Sequence, residues 1–371
     1  MRNYEKVQLV AYGTVTSAPV RVLPDREPTK TDYQDDLMMR AATLCNVANL
    51  ILTDRQPYVS DPTVLKVLVV PEFYFRYGGP VQPGEGTLND SYPNAGGKIT
   101  NMIEEVLVPQ FSTTDWNDWL IVAGSVFWHV PAKDNTAGEP LFLNTSIVIN
   151  GGELPVGEAD TNSDPATVPT MGRVTTNQKR LMSRLDWSLD QGEDKMRWDA
   201  ALNPMFKPIL GDAEYLRWHR FKARGKGNAG GQSIVFGVEV CLEHVQAGAN
   251  MRPCLGVLRL LEEVQPLLPA PDVHVVTSCG MDLDPAFGVA TEPGGIAMLC
   301  DGMEPDTNYA YPWPTADVRR TVSVSRNGVR QLAGGQVVDG LTIPDQLQVG
   351  FPYSSRTPAD RVSIWEPVDL P

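Results

Sequence analysis

Three short segments of this 371-residue chain end apolar runs on residue types that can do chemistry together. The first is SIVFGVEVCLEH, residues 233–244, where a mostly apolar strand delivers Cys241 to its carboxyl end and Glu243 and His244 follow. Carboxyl ends of strands in α/β proteins gather catalytic groups, because the strand fixes position while the loop leaves the side chain accessible. A cysteine there becomes nucleophilic when a neighbour helps form the thiolate. The second is VLVVPEFYF, in which Glu72 follows an apolar run and precedes Phe73, Tyr74 and Phe75. Desolvation among those rings would raise its pKa toward that of a general base able to take a thiol proton. The third is GRVTTNQK, which ends on Lys179; an ammonium beside a developing oxyanion stabilises it, strongly so in a dry cleft. Each residue also has an ordinary reading, and taken singly it is the commoner one. A cysteine ending a buried strand packs as a small apolar group, and a loop glutamate or lysine keeps its head in water.

To meet, these residues must be carried by strands. Short β-branched runs closed by polar or turn residues place strands at 7–12, 64–70, 119–127, 143–149, 172–178, 233–241, 273–278 and 296–300. Leu37, Ala41, Leu44, Ala48, Ile51 and Leu52 recur at helical spacing and predict a helix over 34–53. Ile99, Met102, Ile103, Val106 and Leu107 predict a second helix, and Leu255, Leu258, Leu261 and Val264 a third over 254–264. The class is α/β. NTSIVI and GRVTTNQ are expected to form a hairpin, with 151–166 and 187–218 as surface insertions poor in periodic apolar residues. Asn327 and Gly328 give one hairpin signal in the Pro-rich end of the chain. GKGNAGG, residues 225–231, precedes a strand instead of linking a strand to a helix, so it reads as a turn and not as a dinucleotide loop. No GxSxG elbow is present, and Ser125 sits inside an apolar strand.

Together, and in this chain order, Glu72, Lys179 and Cys241 resemble the Glu-Lys-Cys triad of the nitrilase superfamily of carbon–nitrogen hydrolases. VQLVAYG, WLIVAGSVFW, NTSIVI, VHVVTSCGM and GGIAMLCDG are similar to further strands of that family, so the resemblance spans about residues 5–303. CLEH is closer to the CWEH or CWEN stretch of nitrilases than to the amidase form. The resemblance implies a four-layer α-β-β-α sandwich of nitrilase type, over 1–310, with 311–371 as a C-terminal extension packed on the domain or on a neighbouring subunit. It also implies that Glu72 takes the thiol proton, Cys241 attacks a nitrile or amide carbon, and Lys179 with the N–H of Leu242 stabilises the tetrahedral species. A second glutamate found before the cysteine in many members is best matched by Glu214, for which a surface position is the equal alternative. The 62 residues between Lys179 and Cys241 are more than is common in the family, and Lys207 is a rival lysine. Lys179 is preferred because the family lysine ends the strand paired with the NT strand. Hydrolysis of a small-molecule nitrile or amide, without a cofactor, is the implied activity. Amide-forming acyl transfer and a non-catalytic binding or scaffold role are the alternatives, and a homodimer or larger assembly is expected. Loops near 74–80, 128–131, 187–218 and 278–284 are expected to shape the pocket.

Composition narrows the partners. Forty-five acidic residues against 31 basic give a net charge of −14, which opposes binding to nucleic acid. No unbroken apolar run approaches the ~18 residues of a membrane span, and MRNYEKVQLVAYG lacks a signal-like core, so a soluble cytoplasmic protein is expected. Five widely spaced cysteines without a CxxC pair suggest neither a disulfide framework nor a zinc site. The four histidines lack HExxH-like spacing, so a metal is not indicated.

Overall fold

The computed structural model describes residues 3–16, 29–77, 91–93, 99–134, 141–153, 167–179, 219–226, 232–245, 255–302, 316–344 and 360–371. In chain order the elements are β1 (Asn3–Tyr4), β2 (Lys6–Gly13), α1 (Lys30–Asp54), α2 (Gln56–Val59), β3 (Val64–Val69), β4 (Tyr92–Pro93), α3 (Ile99–Phe111), β5 (Trp119–Val130), β6 (Leu141–Asn150) and β7 (Val174–Lys179). They continue with β8 (Arg220–Lys226), β9 (Ser233–Val240), α4 (Val257–Val264), β10 (Val273–Ser278), β11 (Ile296–Asp301), β12 (Ala316–Val324), β13 (Arg330–Gly334), β14 (Val337–Thr342), β15 (Arg361–Trp365) and β16 (Val368–Asp369). The fold is mixed α/β with two sheets. One runs β1-β8-β9-β10-β11-β12-β13; the other runs β14-β15-β2-β3-β5-β6-β7, with β16 also on β2 and β4 on β5. Parallel pairs β2-β3-β5 and β9-β10-β11 form the centres, and antiparallel pairs extend both sheets outward.

Side chains alternate between faces along a strand, and the two faces of the central strands enter different cores. Leu9 and Ala11 of β2 and Leu65 and Val67 of β3 pack in one cluster with Phe236 and Val238 of β9, Val275 of β10 and Met298 of β11, so the sheets face each other. The alternate residues Val10, Tyr12, Leu68 and Ile121 pack with Leu37, Ala41, Leu44, Ala48 and Ile51 of α1 and with Ile103 and Leu107 of α3. Val257, Leu258, Leu260 and Leu261 of α4 form a smaller cluster, and Leu258 lies over Gly237 of β9, where a Cβ would come within 2.5 Å of its Cδ1. No helix among the described residues is long and apolar enough to cross a membrane.

The structure corrects several expected boundaries. Helix α1 starts at Lys30, four residues before the expected start at 34, because Thr29 and Asp32 form a reciprocal capping box there. Helix α4 begins at Val257, since Gly256 is tied to Phe287 and pressed against the carbonyl of His244. Strand β9 ends at Val240, and Cys241 opens a short 3₁₀ turn. The hairpin of β6 and β7 is present. The 311–371 region supplies β12 to β16 to both sheets.

One irregularity positions a site residue. Strand β5 slips register between Val122 and Ser125 around Gly124, at φ +73°. The slip turns Ser125 Oγ toward the amide of Phe73, which donates to it at 2.9 Å, in a loop that leaves the edge of β5 after Val70 and rejoins it at Phe75. A Cβ at Gly124 would stand 2.4 Å from the Pro71 carbonyl. Gly124→Ala is therefore expected to destabilise the protein by about 1–3 kcal/mol, read as a lower urea midpoint. An unchanged midpoint would mean that the 71–75 segment does not rest on this bulge.

Candidate active site

Glu72 lies just past the end of β3 and is fully buried. Lys179 Nζ donates to its Oε1 at 2.6 Å, and Asn144 Nδ2 donates to the same oxygen at 2.8 Å. The convergence follows from strand register: Asn144 of β6 is paired directly with Lys179 of β7, and cross-strand partners project from the same face. Strand β3 stands three strand spacings, roughly 14 Å, from β7; Glu72 leaves that edge in the loop between Val70 and Phe75, and the two long side chains meet over the remaining gap. Around the pair lie Phe73, 5.6 Å from Lys179 Nζ, and Arg76, whose guanidinium sits 4.8 Å from the Phe73 ring and 5.4 Å from Phe127. An ion pair with both side chains at 0% exposure forms in a low-dielectric surround, where its Coulomb attraction is strong and each partner needs the other.

Cys241 belongs to the facing sheet. Its φ of +51° is a left-handed conformation, rare for a side chain with a Cβ, and Phe73 beside Glu72 has φ +61°. Strained backbone of this kind persists only where surrounding structure holds it, and it concentrates at functional sites. Backbone and side-chain contacts tie this region together, two of them, from Glu72 and from Asn177, between the halves. The Glu72 amide donates to the Ser278 carbonyl at 3.3 Å, and the Cys241 thiol faces the carbonyl of the next residue, Cys279, at 3.9 Å. Asn177 of β7 donates to the Val238 carbonyl of β9 at 2.9 Å. Asp301 fixes the 278–281 turn by accepting from Ser278 Oγ and from the amides of Gly280 at 2.6 Å and Met281 at 3.0 Å. Burial, with the nearby charges of Asp301 and Glu72, pushes the Cys279 thiol well up, so Cys279 stays protonated beside Cys241.

Buried carboxylates also frame the Cys241 turn. Glu243 accepts from the Val240 amide at 3.2 Å, with His219 Nε2 at 3.3 Å from the same oxygen. Glu239, two residues before the cysteine, accepts at Oε1 from the Leu258 amide at 2.7 Å. Its Oε2 meets His244 Nδ1 and His274 Nε2, both at 2.8 Å. Glu239, His244 and His274 have their ligand-type atoms within 4.8 Å of one another, as a metal site would. The outer ring nitrogens decide against one. The amides of Asp284 and Ala290 donate to His244 Nε2 at 3.0 Å and His274 Nδ1 at 3.2 Å, so those nitrogens carry no proton and the inner ones must. Metal-binding histidines have the reverse arrangement, with the outer nitrogen donating.

The structure thus brings Glu72 and Lys179 into contact and sets Cys241 across the 278–279 backbone from them. Glu214 and Lys207 lie outside the described residues. Asn144, Asp301, Glu239 and His274 were not singled out from the sequence. Asn144 is the N of the NTSIVI run, whereas Glu239 looks like an isolated acid in an apolar strand. Neither protein-family models nor curated proteins give a match to this chain.

Two measurements check this geometry. Glu72→Gln and Lys179→Met are each expected to destabilise by on the order of 3–5 kcal/mol, since each strands a buried charged or polar partner; the double variant should cost less than the sum of the two. Strict additivity in denaturant titrations would mean that the pair does not interact. The histidine cluster sets an acid dependence. Burial lowers the His274 pKa, so its contribution is present above the unfolded value near 6.5 and declines as pH falls below it. Burial opposes the charge of Glu239, but the two histidines outweigh it and hold the carboxyl at about 2. Its contribution is complete above about 4.5 and is lost as pH falls toward 2. Stability measured from pH 7.5 to 4 should fall more steeply for the wild type than for His274→Gln; parallel curves would contradict the assignment.

Proposed function

We propose that this protein is a cysteine-dependent hydrolase of a non-peptide carbon–nitrogen bond, a nitrile or an amide in a small molecule, built on a four-layer α-β-β-α sandwich of nitrilase type. The order of layers supports that fold: α1 and α3, the nine-stranded sheet, the seven-stranded sheet, then α4. The observation that carries the activity is a cysteine in a left-handed turn at the end of β9 whose thiol faces the Cys279 carbonyl, one residue from the Ser278 carbonyl that accepts from the amide of Glu72, a buried carboxylate already paired with an ammonium. Assembly into a homodimer or larger oligomer belongs to the same reading.

In this reaction Glu72 accepts the Cys241 proton as the sulfur attacks the substrate carbon, and the displaced electron pair moves onto the substrate oxygen or nitrogen. Lys179 and the Leu242 N–H stabilise that charge. For an amide, collapse of the adduct expels the amine, which takes the proton from Glu72 and leaves a thioester. Water then gives a proton to Glu72, attacks the thioester and restores the thiol on release of the acid. A nitrile passes through a thioimidate, which water converts with loss of ammonia. Asn144 and Lys179 both hold Glu72 through Oε1, which fixes the carboxylate plane before substrate arrives.

The test is ammonia release from a panel of nitriles, primary amides and carbamoyl compounds. Wild-type turnover that falls more than about 1,000-fold in Cys241→Ala is the expected result. Release that survives in Cys241→Ala would overturn Cys241 as nucleophile, and acyl transfer to an added amine without hydrolysis would move the protein to the amide-forming alternative.

A further inference from the structure

The hub at Glu239 lies outside the chemistry just described, yet it touches three segments around the Cys241 turn. Three N–H donors converge on its two oxygens: Leu258 from the start of α4, His244 from the 3₁₀ turn that begins at Cys241, and His274 from β10. Through the outer nitrogens of the two rings the same hub holds the amides of Asp284 and Ala290, on the loop that follows the Cys279 turn. All three side chains are at 0% exposure, and the packing is tight on every side. A Cβ at Gly256 would stand 2.4 Å from the His244 carbonyl oxygen, and one at Gly288 would stand 2.4 Å from His244 Nε2.

We propose that Glu239 is a positioning residue for Cys241, holding the strained turn and the Cys279 carbonyl in fixed relation through His244 and His274. The inference rests on the reading of Cys241 as nucleophile. The role demands a carboxylate and not merely a polar side chain of that size. Glutamine has one acceptor oxygen where Glu239 uses two. Whichever way its amide turns, the NH₂ group faces the Leu258 N–H or the two ring N–H groups. Re-protonating a ring to relieve that contact would oppose its outer nitrogen to the amide of Asp284 or Ala290. No arrangement satisfies all five donors, so the turn must shift.

The experiment uses the full chain and reads Cys241 without requiring a known substrate. Alkylation of Cys241 by iodoacetamide is followed by peptide mass analysis across pH, beside circular dichroism and metal content. Glu239→Gln, folded at the assay temperature, is expected to react on the order of 10- to 100-fold more slowly with a shifted pH midpoint. His274→Gln keeps a donor at the Nε2 position and should stay near the wild-type rate, while His274→Ala should follow Glu239→Gln. Folded Glu239→Gln with wild-type rate and pH midpoint would overturn the proposal, as would a stoichiometric divalent metal in the wild type that Glu239→Gln loses. If Glu239→Gln does not fold, the His274 pair decides: slow Ala with fast Gln supports the proposal, and equal rates overturn it. A wild-type Cys241 no faster than Cys45, Cys279 and Cys300 would instead overturn the hydrolase reading itself, whereas a fast wild type matched by Glu239→Gln sinks only the positioning role.

Discussion

The contact between Lys179 Nζ and Glu72 Oε1, 2.6 Å long and shut away from solvent, imposes conditions on much of the molecule. Two opposite charges without water are tolerated only when they are adjacent and their remaining polar atoms have partners. Adjacency requires that Glu72 leave the edge of β5 between Val70 and Phe75, a loop that rests on the bulge, with its left-handed glycine at 124 and Ser125 as an acceptor for Phe73. Asn144 adds a second donor to the same Oε1, available because β6 and β7 pair in the register that sets it opposite Lys179. A slip of one residue would turn both side chains to the other face.

The nine-stranded sheet carries the Glu72–Lys179 ion pair, and the seven-stranded sheet leads into Cys241. Their inner faces meet through aliphatic side chains, which resist separation but specify lateral alignment poorly. Alignment comes from polar bonds along the seam. Besides the links at Glu72 and Asn177, Thr277 Oγ1 donates to the Val70 carbonyl at 2.7 Å, and the Thr16 amide donates to the Gly302 carbonyl at 2.9 Å. The links at Glu72, Thr277 and Thr16 lie where strands β3, β10 and β11 end, and Arg224 of β8, donating to the carbonyls of Asn117, Trp119 and Gly151, adds others elsewhere between the sheets.

The parts legible in the sequence are those whose burial is periodic. Strands β2, β3, β5, β9, β10 and β11 have nearly every residue buried and read as apolar runs, and α1 and α3 bury one face at helical spacing. Strand β12, by contrast, alternates only weakly, with Arg319 and Arg320 at its centre, and β14 is half exposed throughout. Strand β8, RFKARGK, is broken by a bulge at Arg224, whose guanidinium serves the carbonyls of Asn117, Trp119 and Gly151. Such strands are specified by their neighbours and not by their own pattern. The site divides in the same way. Glu72, Lys179 and Cys241 each end a readable strand, whereas Glu239, His244 and His274 meet only because β9 and β10 lie side by side, and residues 5 and 35 apart have no local signature.

Strand β15 lies between β14 and β2 in the nine-stranded sheet, with Arg361 to Ile364 paired antiparallel to Val10 to Gly13, and Gln8 donates to the Trp365 carbonyl at 2.8 Å. Residues 10–13 of β2 thus wait for a partner made more than 340 positions later. Until then one edge of β2, a run of Val, Leu, Val and Ala, offers unsatisfied amides and carbonyls to any passing strand. Contacts of such long sequence separation close slowly, so the nascent chain has a long interval in which intermolecular pairing competes with completion of its own sheet.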